Sequence, residues 1–105
     1  MEFEINRHKG ECKGYYPTLE CKGYYPTLIS NNISIGGYYP YIADYLGIPR
    51  EKYVNYMKKY GARSVINLHR GFCSPVYIFN NCNDCQNFIK SKELESYLIM
   101  CKLME

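Results

Sequence analysis

The residues best suited to chemistry in this chain are its thiols. Cysteine occurs at 12, 21, 73, 82, 85 and 101, and Cys82-Asn83-Asp84-Cys85 forms a CxxC. Four thiolates hold a tetrahedral zinc ion, and Cys12, Cys21, Cys82 and Cys85 would supply them, with His8 or His69 as spare ligands. Zinc sites mostly use two close pairs, whereas the spacing of Cys12 and Cys21 is set by a sequence duplication. A CxxC at a helix start also suits redox work, because the helix dipole lowers a thiol's pKa. No βαβ pattern of the thioredoxin kind surrounds this one. A third arrangement, His69-Arg70-Gly71-Phe72-Cys73-Ser74, would pair a nucleophile with a base if a hairpin closed on it. No acid that would orient the histidine is recognisable, and no oxyanion loop. Paired carboxylates, a phosphate loop or a catalytic triad cannot be assembled from the remaining residues. The expectation is therefore a binding protein with no catalytic residues and no cofactor, a zinc-stabilised domain or small thiol enzyme being the lesser alternative.

The second unusual residue type is tyrosine, present 13 times against four phenylalanines and no tryptophan. Residues 11–19 read ECKGYYPTL and residues 20–28 read the same, and Gly37-Tyr38-Tyr39-Pro40-Tyr41-Ile42 repeats the GYYP frame. Tyrosine joins a broad apolar ring to a polar tip, so it is enriched where proteins meet. Pairs of such rings set out on glycine–proline bends offer stiff contact area with little entropy to lose on binding. Tyr15, Tyr16, Tyr24, Tyr25, Tyr38 and Tyr39 are the candidate partner-binding residues. Beside basic residues the same rings would also stack on unpaired bases.

Three zones must position these groups. A nine-residue period suits neither a continuous strand nor a helix, since equivalent side chains would change sides between copies. Residues 10–28 are accordingly expected to form two extended-then-turn units, an arrangement compatible with a short hairpin. Residues 36–62 form the clearest helical zone. Gly36-Gly37 breaks the chain, Pro40 suits a first helical turn, and Ile42, Ala43, Tyr45 and Leu46 share one face. Gly47 stops that helix. Pro49 starts a second one carrying Tyr53, Val54, Met57 and Tyr60, which Gly61 closes.

Residues 63–105 read as α+β. A hairpin of 64–68 with 76–79 comes first, then a helix near 84–96 capped from Asn80–Asp84, then a closing strand near 97–103. Phe3 and Ile5 alternate with polar neighbours and suit an edge strand.

The segment from Ala43 to Tyr60 resembles a helix-turn-helix of the DNA-reading kind over about 20 residues, with Ala43 at the small position and Gly47 at the turn. Where that pattern carries a β-branched residue stands Tyr53, with Val54 one place later. The resemblance implies nucleic-acid contact through Arg50, Lys52, Asn55, Lys58, Lys59 and Arg63. Residues 50–63 hold five basic side chains against Glu51 alone, a local +4, while the rest of the chain has eight basic and nine acidic residues.

The chain of 105 residues suits one α+β domain, and its 47% apolar composition is that of an ordered globule. No apolar run approaches the length of a membrane span, and Met1-Glu2-Phe3-Glu4 lacks the basic start of a secretory leader, so reduced thiols and a cytoplasmic location are expected. The leading expectation is a regulatory or inhibitory module that docks on a protein through tyrosines and a basic helix. In size and type it resembles the accessory products of phages and mobile elements that block host functions. A nucleic-acid-binding role for residues 42–60 is the alternative.

Overall fold

A computed structural model describes the backbone of residues 2–12, 19–66 and 75–104. Among these, strands β1 (Glu2–Cys12), β2 (Leu19–Ser30) and β3 (Ile33–Gly36) precede helices α1 (Tyr39–Leu46) and α2 (Arg50–Lys59). Strands β4 (Arg63–Ile66) and β5 (Pro75–Ile78) follow, then helices α3 (Cys82–Ile89) and α4 (Lys92–Met104). The fold is α+β, with two antiparallel sheets ordered β1-β2-β3 and β4-β5.

β1 and β2 pair without a slip, Phe3 opposite Leu28, Ile5 opposite Pro26 and Arg7 opposite Tyr24. The side chains of Phe3, Ile5, Tyr24 and Leu28 on this face pack against the main core. Along β2 the Tyr24 N–H donates to the Phe79 carbonyl at 2.8 Å, and the Phe79 N–H returns the bond at 2.7 Å. This bridge ties the larger sheet to the end of β5.

The second repeat copy corrects one expectation: residues 20–28 form no turn and run as one continuous strand. Pro26 is tolerated because its place on β2 has the parity of Tyr24. A backbone N–H there would point away from β1, into the gap between Phe79 and β3, so no ladder bond is lost. Residues 13–18 of the first copy lie outside the described residues. β3 is a strand that the sequence reading omitted. Asn31 and Asn32 adopt φ of 52° and 64°, the two positive values of a tight hairpin turn, and bring Ile33 opposite Ser30.

The two helices of the pair end with one device. Ile48 N–H bonds the Ala43 carbonyl at 2.9 Å, and Ala62 N–H bonds that of Met57 at 3.0 Å. Each closure needs a left-handed residue just before the donor, supplied by Gly47 and Gly61. α3 starts where the sequence places its cap: Asn81 accepts from the Asp84 backbone N–H at 2.8 Å.

The closing strand expected at 97–103 is instead part of α4. The single helix expected over 84–96 is two, parted at Lys90–Ser91. Leu94, Tyr97, Leu98 and Cys101 recur at helical spacing, and all four lie in or against the core, which settles the ambiguous apolar run.

Phe88 sits at the middle of that core. Its ring lies 5.4 Å from Phe79, 5.7 Å from Tyr53 and 6.0 Å from Tyr60, drawing α2, α3 and β5 together. Leu28, Ile42, Ala43, Leu46, Ile48, Met57, Cys85 and Leu94 pack around these rings, and Val65, Val76 and Ile78 form a smaller cluster between β4 and β5. Among the described residues no helix is long and apolar enough to cross a membrane.

Candidate interaction surface

Gly37-Tyr38-Tyr39-Pro40 enters α1 on extended backbone, with Tyr38 at φ −78° and ψ 124° as the residue before the helix. Pro40 takes the first turn, and its ring is buried with Ile42, Ala43 and Leu46. That turn sends Tyr39 towards the core and leaves Tyr38 beside Tyr41, three residues on. The rings of Tyr38 and Tyr41 meet edge-to-face at 5.4 Å, and those of Tyr38 and Tyr39 at 5.6 Å. Tyr39 then meets Tyr77 of β5 at 5.2 Å, again edge-to-face. The result is a continuous aromatic run, Tyr41–Tyr38–Tyr39–Tyr77, in the geometry that ring quadrupoles favour.

The run is open at one end. Tyr41 is 60% exposed and Tyr45, one turn further along α1, is 40% exposed. Tyr45 thus leaves the apolar face expected of it; its hydroxyl donates to Ser30 Oγ at 2.8 Å. Burial raises the pKa of Tyr39, and its neighbours Tyr77 and Tyr38 add to the shift, so this phenol is held in its neutral form.

The basic helix adjoins this run through Lys58, whose Nζ lies 5.9 Å from the Tyr77 ring centre. Lys52 reaches the rings of Tyr56 and Tyr97, each at 5.9 Å. Those two hydroxyls raise its pKa, Tyr97 the more. Two other cations are held by the chain's own acids. Arg50 donates from Nε to Asp44 Oδ1 at 3.0 Å and from Nη2 to Oδ2 at 2.6 Å, a two-pronged pair. Lys59 bonds Glu93, which the Tyr60 hydroxyl also reaches at 2.8 Å. Lys59, then the backbone N–H and Tyr60, hold the Glu93 carboxyl down at about 2. Arg63 donates to Asn80 Oδ1 at 2.7 Å, and Asn55 is exposed on the outer face of α2.

Of the residues expected to bind a partner, the structure brings Tyr38 and Tyr39 together with Lys58. Tyr24 and Tyr25 lie elsewhere, half-buried in β2, and as strand neighbours they face opposite sides of the sheet. Arg7 covers the Tyr24 ring at 5.9 Å, and the Tyr25 ring lies where a side chain on Gly37 would have to go. Gly23–Pro26 is continuous strand, which corrects the expectation that the second copy presents its tyrosines on a bend. Tyr15 and Tyr16 lie outside the described residues.

Tyr41, Tyr45 and Tyr77 lie in or beside the aromatic run without having been among the residues expected to bind a partner. For the first two the signal was present, since Tyr38, Tyr41 and Tyr45 follow helical spacing.

The thiols occupy different surroundings. Cys82 and Cys85 open α3; Cys82 is half-buried, while Cys85 is buried in the main core, where desolvation pushes its thiol up to about 12. A core thiol shifted this way is opposite to the activated thiol that redox chemistry needs. Among the described residues no group of three metal-binding side chains occurs. The side chains of Cys12, Cys21 and His8, and the whole of His69 and Cys73, lie outside the described residues. No family model, curated protein or solved structure matches the chain.

Proposed function

We propose that this protein is a non-catalytic regulatory or inhibitory module that docks on a protein partner through the face carrying Tyr41, Tyr38, Tyr39 and Tyr77. The observation that carries this reading is the continuous edge-to-face run itself, with its outer ring 60% exposed and its inner end beside Lys58. Rings that brace one another are already ordered, so little side-chain freedom is lost when a partner covers them. Tyr38 and Tyr41 offer apolar faces with hydroxyls at their rims, a combination common at the centre of interfaces.

Nucleic-acid binding through α2 is the second reading, favoured by exposed Asn55 and by Lys52 and Lys58 lying over rings. It is the weaker one because Arg50 and Lys59, two of the cations it needs, are neutralised within the chain.

Affinity capture with the immobilised protein separates the two, comparing the wild type with Tyr38→Ala/Tyr41→Ala and with Lys52→Glu/Lys58→Glu. Docking predicts a protein retained by the wild type and lost with the tyrosine variant, the circular dichroism spectrum being unchanged. Equal retention by the tyrosine variant refutes it. Capture that nuclease treatment abolishes, and that is lost with the lysine variant, selects the nucleic-acid reading instead.

A further inference from the structure

α4 is apolar on two sides. Its inner side carries Leu94, Tyr97, Leu98 and Cys101 into or against the core, and the Cys101 thiol lies 3.9 Å from the carbonyls of Tyr45 and Leu46. The opposite side is not covered by the described residues: Ile99 is 50% exposed, Met100 62% and Leu103 81%. Ser96, Ile99 and Leu103 stand at spacings of three and four, a straight seam along the helix. Such a seam on a surface helix is the mark of a partner helix.

The charges beside the seam say which partner. At 100° per residue, Glu95 and Lys102 fall on the same flank of the Ile99–Leu103 line, two turns apart. Both are exposed, and neither makes an ion pair among the described residues. When two identical helices pack antiparallel about a twofold axis, like flank meets like flank. An axis passing beside Ile99 then sets Glu95 of each helix level with Lys102 of the other. Parallel packing would instead set the two Glu95/Lys102 flanks on opposite sides of the seam, where they cannot pair. We infer that a second copy of this chain covers the outer face of α4, the two α4 helices packing antiparallel with Ile99 and Leu103 in the seam and Glu95 facing Lys102 across it.

Helices of 13 residues bury less than a standard interface, so the dimer is weak and forms in the micromolar range or above. Analytical ultracentrifugation of the full chain, from about 1 µM to about 1 mM, tests this. The weight-average mass is expected to rise from 12.4 kDa towards twice that value. Ile99→Glu and Leu103→Glu should each raise the dissociation constant at least tenfold. Both side chains are at least half exposed, so circular dichroism should be unchanged. Lys102→Glu should weaken association, and adding Glu95→Lys should restore it, because the swapped charges again face each other. A wild type that stays monomeric throughout overturns the proposal, as does association that survives both seam variants. A double swap that fails to restore association overturns the antiparallel arrangement.

Discussion

The Tyr53 hydroxyl is fully buried beside Cys85 and has no hydrogen-bond partner. A buried polar group left unpaired costs on the order of 1–3 kcal/mol, whereas the ring around it packs against Phe88. Tyr53→Phe keeps the ring and removes the unpaired atom. It should stabilise the protein by about 1 kcal/mol, read from the midpoint of urea unfolding at unchanged slope. Glu93 makes the opposite kind of contribution. Its carboxyl sits at about 2 in the folded chain against an ordinary 4.5, so the folded state favours the ionised form. That support is complete above the ordinary value and drains away as pH falls from about 4.5 towards 2. Glu93→Gln should therefore flatten the fall in melting temperature over that interval and change little of its pH dependence above it. A wild-type profile no steeper there than the variant's would contradict the Lys59–Glu93–Tyr60 contact.

One tetrapeptide takes two structures in this chain. Gly23-Tyr24-Tyr25-Pro26 runs inside β2, while Gly37-Tyr38-Tyr39-Pro40 turns into α1. Local preference is the same in both, so the surroundings decide. At Gly23 the Phe79 carbonyl comes so close that an added methyl would strike it, and Ile78 lies alongside. Gly23→Ala should thus cost about 2 kcal/mol in urea unfolding and speed hydrogen exchange of the Tyr24 and Phe79 amides, whose bonds join the sheets. The helix pair and the α3 cap were legible in the sequence because Pro40, Gly47, Pro49, Gly61 and Asn81 are local signals with local causes. The strand through Pro26 was not. Its proline is acceptable only because of which neighbour faces its backbone. Residues 97–103 fitted either period, and only the core beneath Leu98 and Cys101 selects the helix. The tyrosine-rich clusters were legible in composition but not in place, because a sequence does not say which rings of a pair turn inward.

At the scale of the whole molecule, the helices cover one face of the larger sheet, and Phe88 joins them to the end of β5. Among the described residues, the side chains that β2 contributes to that core come from the second copy of the duplicated nonapeptide, Tyr24 and Leu28 with Pro26 buried between them. The first copy holds the same residues at Tyr15, Pro17 and Leu19. Excising either copy yields one and the same shorter polypeptide. In it Phe3, Ile5 and Arg7 still find leucine, proline and tyrosine to face, across a shorter connection. The excised protein should unfold cooperatively, with a melting temperature within about 5 °C of the parent. Loss of the cooperative transition would mean that the extra length of the hairpin is itself structural. If the transition survives, the duplication is surplus to folding, and one nonapeptide is free to diverge while its twin keeps the sheet intact.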